Sequence, residues 1–64
     1  MNSKFERATK MAHKFFWLAD SLTVLDEALQ MINNRKDCSV ADCVAIICYC
    51  AAKKEGVINV LGKV

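Results

Sequence analysis

Four cysteines, Cys38, Cys43, Cys48 and Cys50, and one histidine, His13, are the side chains of this 64-residue sequence best suited to ligate a metal or attack an electrophile. Their spacing argues against both. The run C-x4-C-x4-C-x-C matches no zinc pattern, and His13 is remote from it in the sequence. On a helix, Cys43 and Cys50 share a face while Cys48 points elsewhere, and a free cysteine so placed acts as a small buried hydrophobe. Ser21, Thr23 and Ser39 have no base beside them, and His13 lies among lysines on a polar flank. No catalytic residue, metal or cofactor is expected, and the chain is expected not to be an enzyme.

The charged residues carry a different chemistry. Lys4, Arg7, Lys10, His13 and Lys14 crowd the first part of the chain, interleaved with Phe5, Phe15, Phe16 and Trp17, and the acidic Asp20, Asp26 and Glu27 follow. Cations beside exposed aromatics suit phosphates and unpaired bases, which makes these five residues the nucleic-acid-binding set of an alternative, RNA-binding reading. Against it stand the formal net charge of only +2 and the acidic groups that would repel a long polyanion.

These side chains need elements to position them. The sequence has no proline, and its two glycines, Gly56 and Gly62, lie near the end. Ala8, Met11, Phe15, Leu18, Leu22, Leu25, Leu29 and Ile32 recur at alternating steps of three and four, which predicts one helix over about 3–33, capped by Asn2 or Ser3. A polar turn over 34–39 follows. Ser39-Val40-Ala41-Asp42 then gives an S-x-x-D start signal for a second helix over about 40–55, with Lys53 and Lys54 at its negative end and Gly56 to stop it. The second helix reads apolar on every side from Cys43 to Ala52, so burial all round is expected. Ala41, Ala45, Cys48 and Ala52 form a small-residue stripe beside Val40, Val44 and Ile47. The tail, 56–64, reads as a short helix or an apolar strap.

The predicted fold is all-α, one domain over 1–64 built as an antiparallel helical hairpin that dimerises into a four-helix bundle. A chain this short buries only about 60% of its unfolded surface, and without disulfides or a metal it needs another chain as its staple. Phe15, Leu18, Leu22, Leu25, Leu29, Val44 and Ile47 are the expected oligomer core, while Phe16, Trp17, Val24 and Met31 fall on a second flank and form the expected partner-binding surface. The longest apolar run spans about ten residues, half of the roughly 20 that a membrane helix needs, so no membrane role is expected. No secretory signal is legible after Met1, and a cytoplasmic protein with reduced thiols is expected.

In layout the chain resembles the plasmid-encoded Rop family, small RNA-binding dimers of helical hairpins with a basic, aromatic-bearing first helix. The resemblance rests on Met11-Ala12, Phe15 and Leu22-Thr23-Val24-Leu25, with a shift of register between them, and the cysteine-rich, apolar second helix departs from that family's charged one. It implies a homodimer that contacts RNA. Ala52 to Val57 also has the look of a helix-turn-helix turn, yet no polar recognition helix follows Gly56. The functional expectation is a small regulatory or inhibitory protein, of a kind a phage or plasmid could encode, that binds itself and another protein and works by occlusion.

Overall fold

In the sequence, Ala8, Ala12 and Ala19 recur at helical spacing, and so do Val24, Ala28 and Ile32. At about 100° per residue, one uninterrupted helix would turn the second set to the opposite face, about 180° from the first on average. A straight helix could not bury both against one neighbour. The computed structural model, which describes residues 3–56, resolves the conflict by breaking the chain between them. It is all-helical among the described residues: α1, Ser3–His13; a short 3-10 turn, Trp17–Asp20; α2, Leu22–Asn33; and α3, Val40–Glu55. The single helix expected over 3–33 is therefore two helices, whereas the turn over 34–39 and the helix over 40–55 are where the sequence put them. The expected cap at Asn2 and the tail from Val57 onward lie outside the described residues.

Neither proline nor glycine makes the break. The last turn of α1 tightens, with the Phe15 N–H donating to the Ala12 carbonyl at 2.9 Å and the Lys14 N–H to that of Met11 at 3.2 Å. Phe16 then becomes extended (φ −136°, ψ 118°), as does Ser21 (φ −66°, ψ 138°) before α2. Consecutive aromatics at 15, 16 and 17 have poor helix propensity, which lowers the cost of leaving the helix there. Ending α1 at His13 also puts Lys10 and His13 in its last turn. There the cations favour the helix dipole rather than oppose it. His13 Nε2 stands 3.4 Å from Asp20 Oδ2, an ion pair across the break when the imidazole is protonated.

α3 is the central element. It packs against α1, α2 and the 3-10 turn, while α1 and α2 meet α3 rather than each other. Glu27 pairs with Lys53, and the Cys50 thiol lies 3.7 Å from Met31 Sδ, so α2 and α3 run antiparallel. α3 starts with a reciprocal cap: the Asp42 N–H donates to Ser39 Oγ and the Ser39 N–H to Asp42 Oδ2, each at 3.1 Å. Cys38 and Cys43 occupy the positions on either side of that cap where a hydrophobic staple forms, and both are buried. At the other end Gly56 takes φ 82° and its N–H reaches the carbonyls of Ala52 and Lys53, the left-handed stop that glycine allows.

The core is made mostly of small side chains, with Val24, Ile32, Ile46 and Ile47 as its larger members. Ala8, Ala12, Ala19, Ala28, Ala51, Cys43 and Cys50 are buried, and Ile47 and Val24 are the largest side chains fully enclosed. Alanines let the helix backbones come close. Within the single chain the apolar run Cys43 to Ala52 is not enclosed on every side: Ala45 is exposed and Val44, Cys48 and Tyr49 are half-buried. Only α1, α2 and the turn cover α3, and they leave one side of its first half open.

Candidate partner surface and cationic cleft

Filling the core with alanine, cysteine and valine leaves large apolar side chains outside. Among the described residues Met11, Phe15, Trp17, Leu22 and Met31 are the large hydrophobic side chains that stay exposed, with Leu22 at 83%, Phe15 at 71% and Trp17 at 70%. Four of them, Met11, Phe15, Trp17 and Leu22, belong to the stretch that ends α1, crosses the 3-10 turn and begins α2. A break that satisfies the core thus builds an apolar corner.

That corner is not the flank read from the sequence. Of the expected partner-binding residues, Trp17 is exposed and Met31 partly so, but Phe16 packs on the core and Val24 is 1% exposed. Val24 has no surface to offer a partner, because the break turns its face of α2 onto α3. The expected oligomer core divides in the same way. Ile47 is fully buried within the single chain, Leu18, Leu25 and Val44 are half-buried against the core, Leu29 is half-buried, and Phe15 and Leu22 face solvent. Phe15, Leu18, Leu22, Leu25 and Leu29 form one seam only on a helix that continues through residues 14–21.

The cations separate as well. Lys4, Arg7, Lys10, His13 and Lys14 are all exposed, but they serve different places. Lys4 donates from Nζ to the Cys38 carbonyl at 2.7 Å, tying the start of α1 to the loop before α3. There it lines an open cleft of about 240 Å³ with Asn33, Arg35 and Lys36, over Ile32, Cys38 and Cys43. Lys10 lines a second groove, about 340 Å³, with Phe5, Glu6 and Thr9 of α1 and Leu25 of α2. Arg35 and Lys36 were not among the expected site residues. Only their position in the loop, 31 residues or more from Lys4, could have flagged them, and that separation is closed by the fold alone.

Electrostatics argue against reactive thiols. Burial pushes the Cys43, Cys48 and Cys50 thiols above the ordinary cysteine value, which disfavours the thiolate needed for attack or metal binding. Among the described residues no three of His, Cys, Asp and Glu converge as a metal site requires. The hydrogen bond to Glu27 raises the Lys53 ammonium, which also sits 5.4 Å from the centre of the Tyr49 ring. Backbone and side-chain hydrogen bonds from Ser39 lower the Asp42 carboxyl. No described helix is long and apolar enough to cross a membrane.

Comparison of the chain with protein-family models, curated protein sequences and solved structures returned no match. The resemblance to the Rop family gains no support from those comparisons, and the first helix of the expected hairpin is broken in two.

Proposed function

We propose that the chain is a non-enzymatic protein-binding module whose docking surface is the apolar corner at the α1–α2 break, and whose first partner is a second copy of itself. The observation that carries this reading is the inversion of side-chain size: alanine and cysteine inside, Phe15, Trp17 and Leu22 outside. Water-exposed apolar patches of this kind mark association surfaces. A thin core in a short chain gives association a stabilising role of its own. Trp and Phe are also the side chains that dominate binding energy once enclosed by a partner. The assembled form is an oligomeric helical bundle, and the biological role is that of a small regulator or inhibitor that occludes the surface it covers.

The test is the solution mass of the full chain, reduced, by light scattering at low and high salt, with absorbance at 260 nm on the same peak. A dimer or larger species that high salt leaves intact, and that Trp17→Ala with Leu22→Ala converts to folded monomer, supports the reading. A monomer at every concentration, with Trp17 emission unchanged by dilution, overturns self-association. Co-eluting nucleic acid that salt removes would put the RNA reading first, with Lys4, Arg7, Lys10, His13 and Lys14, on α1 and directly after it, as its contacts.

A further inference from the structure

The cleft between the start of α1 and the loop before α3 gathers positive charge from two distant parts of the chain. Lys4 comes from α1, Arg35 and Lys36 from the loop, and the Asn33 amide from the end of α2. No carboxylate lines it. We propose that this cleft is a binding site for a phosphate group, with Lys4, Arg35 and Lys36 supplying the charge and Asn33 an additional donor.

Lys4 is held in place before any ligand arrives. Its bond to the Cys38 carbonyl uses one ammonium donor and leaves two that can point into the cleft. Fixing a flexible lysine in this way lowers the entropy lost on binding. Arg35 and Lys36 enter no ion pair among the described residues. Asp42, the acid that feels Arg35, already accepts from the Ser39 N–H. The guanidinium keeps its forked donors free for a planar pair of phosphate oxygens. A volume near 240 Å³ is about eight waters' worth, enough for one phosphate group and its nearest atoms. The buried floor of Ile32, Cys38 and Cys43 gives the site a low-dielectric side, where charge-assisted hydrogen bonds are stronger.

The cleft lies at the opposite end of α1 from the apolar corner, about 16 Å along the helix, so the inference stands independently of self-association. Two sources share this chemistry, a small phosphate compound and the backbone of a nucleic acid.

The experiment is a titration of the isotope-labelled full chain with inorganic pyrophosphate, followed by backbone amide NMR at low salt. It is repeated with a short unstructured RNA. Saturable shifts confined to Lys4, residues 33–38 and Cys43, weakened at least tenfold in R35Q/K36Q, are the expected result. The control K54Q, about 16 Å along α3 from Cys43, should bind as the parent does. Saturation by pyrophosphate at least as tight as by RNA assigns the site to a small phosphate compound. Tighter RNA binding that still depends on Arg35 and Lys36 assigns it to a nucleic-acid backbone. Shifts that never saturate, or that fall equally in both variants, mean diffuse surface charge and overturn the proposal. Arg35 and Lys36 are exposed, and an unchanged melting temperature of R35Q/K36Q verifies that lost binding is not lost folding.

Discussion

Truncating Ile47 and truncating Leu22 should have opposite consequences, although both residues look like core in the sequence. Ile47 is fully buried and Leu22 is 83% exposed. Ile47→Ala removes an aliphatic group worth about 2 kcal/mol of burial before any cavity is counted. Its surroundings include Cys43, Cys50 and Ala51, short side chains fixed close to the α3 backbone that cannot swing into the space. The loss should therefore lie within the usual range of about 2–5 kcal/mol and toward its upper part. A chain of this length has roughly 3–10 kcal/mol of stability in all, so the variant should be close to unfolding at room temperature. With a urea slope of about 1 kcal/mol/M, its midpoint falls by about 2 M or more. Leu22→Ala should change the stability of the single chain by no more than about 0.5 kcal/mol. The assay is urea unfolding followed by far-ultraviolet circular dichroism at several protein concentrations, so that any contribution of Leu22 to assembly appears as concentration dependence and vanishes on dilution. A loss of about 2 kcal/mol or more for Leu22→Ala at every concentration, beside a small one for Ile47→Ala, would refute the broken-helix core and restore a continuous 3–33 helix.

Gly56 has open space around its Cα but a φ of 82°, so Gly56→Ala should destabilise α3 by about 1 kcal/mol through backbone strain alone, read as a lower melting temperature. The Asp42 carboxyl titrates below its ordinary value of 3.8, so its cap is fully formed above that pH and is lost as pH falls through the folded-state value. Amide shifts of Ser39 and Asp42 should follow that titration, and Asp42→Asn should abolish it. Iodoacetamide should modify half-buried Cys48 before buried Cys43 and Cys50; burial raises all three thiols, so access sets the order, mass spectrometry of timed aliquots reads it, and early labelling of Cys43 or Cys50 would contradict the packing. Glu27→Gln should let the Lys53 ammonium titrate closer to its ordinary value of 10.5, since the hydrogen bond to Glu27 is the main cause of its rise. Side-chain NMR of Lys53 measures this, and an unchanged midpoint would disconnect the pair.

The second half of the fold was legible because its signals are local. Ser39 and Asp42 stand at the spacing of a reciprocal cap, Gly56 follows two lysines, and the loop between α2 and α3 is polar, so the limits of α3 need only neighbours along the chain. The first half was misread because large apolar residues were weighted over small ones. Leu22, Phe15 and Met11 keep the heptad register and yet are exposed in the single chain, whereas Ala19 and Ala28, which lie off that register, are fully buried. A leucine signals burial by its transfer energy, but an alanine contributes by letting two backbones approach, and only the position of the second backbone reveals that.

The phase of the small residues was nevertheless in the sequence. Ala8 and Ala12 define one face, Val24, Ala28 and Ile32 another, and no straight helix presents both to α3. Two demands then compete over residues 14–21: keeping helical hydrogen bonds through three consecutive aromatics, or burying both small-residue faces. Giving up a few backbone bonds at an exposed corner costs little, since water replaces them, while leaving either face unburied would forfeit half of a core that is already thin. The break follows from that inequality, and with it both candidate surfaces. Turning α2 back exposes Phe15, Trp17 and Leu22 at one end, and running the chain through residues 34–39 to α3 brings Arg35 and Lys36 beside Lys4 at the other. Neither surface could be read from spacing alone, because each depends on where the helix ends rather than on which residues compose it.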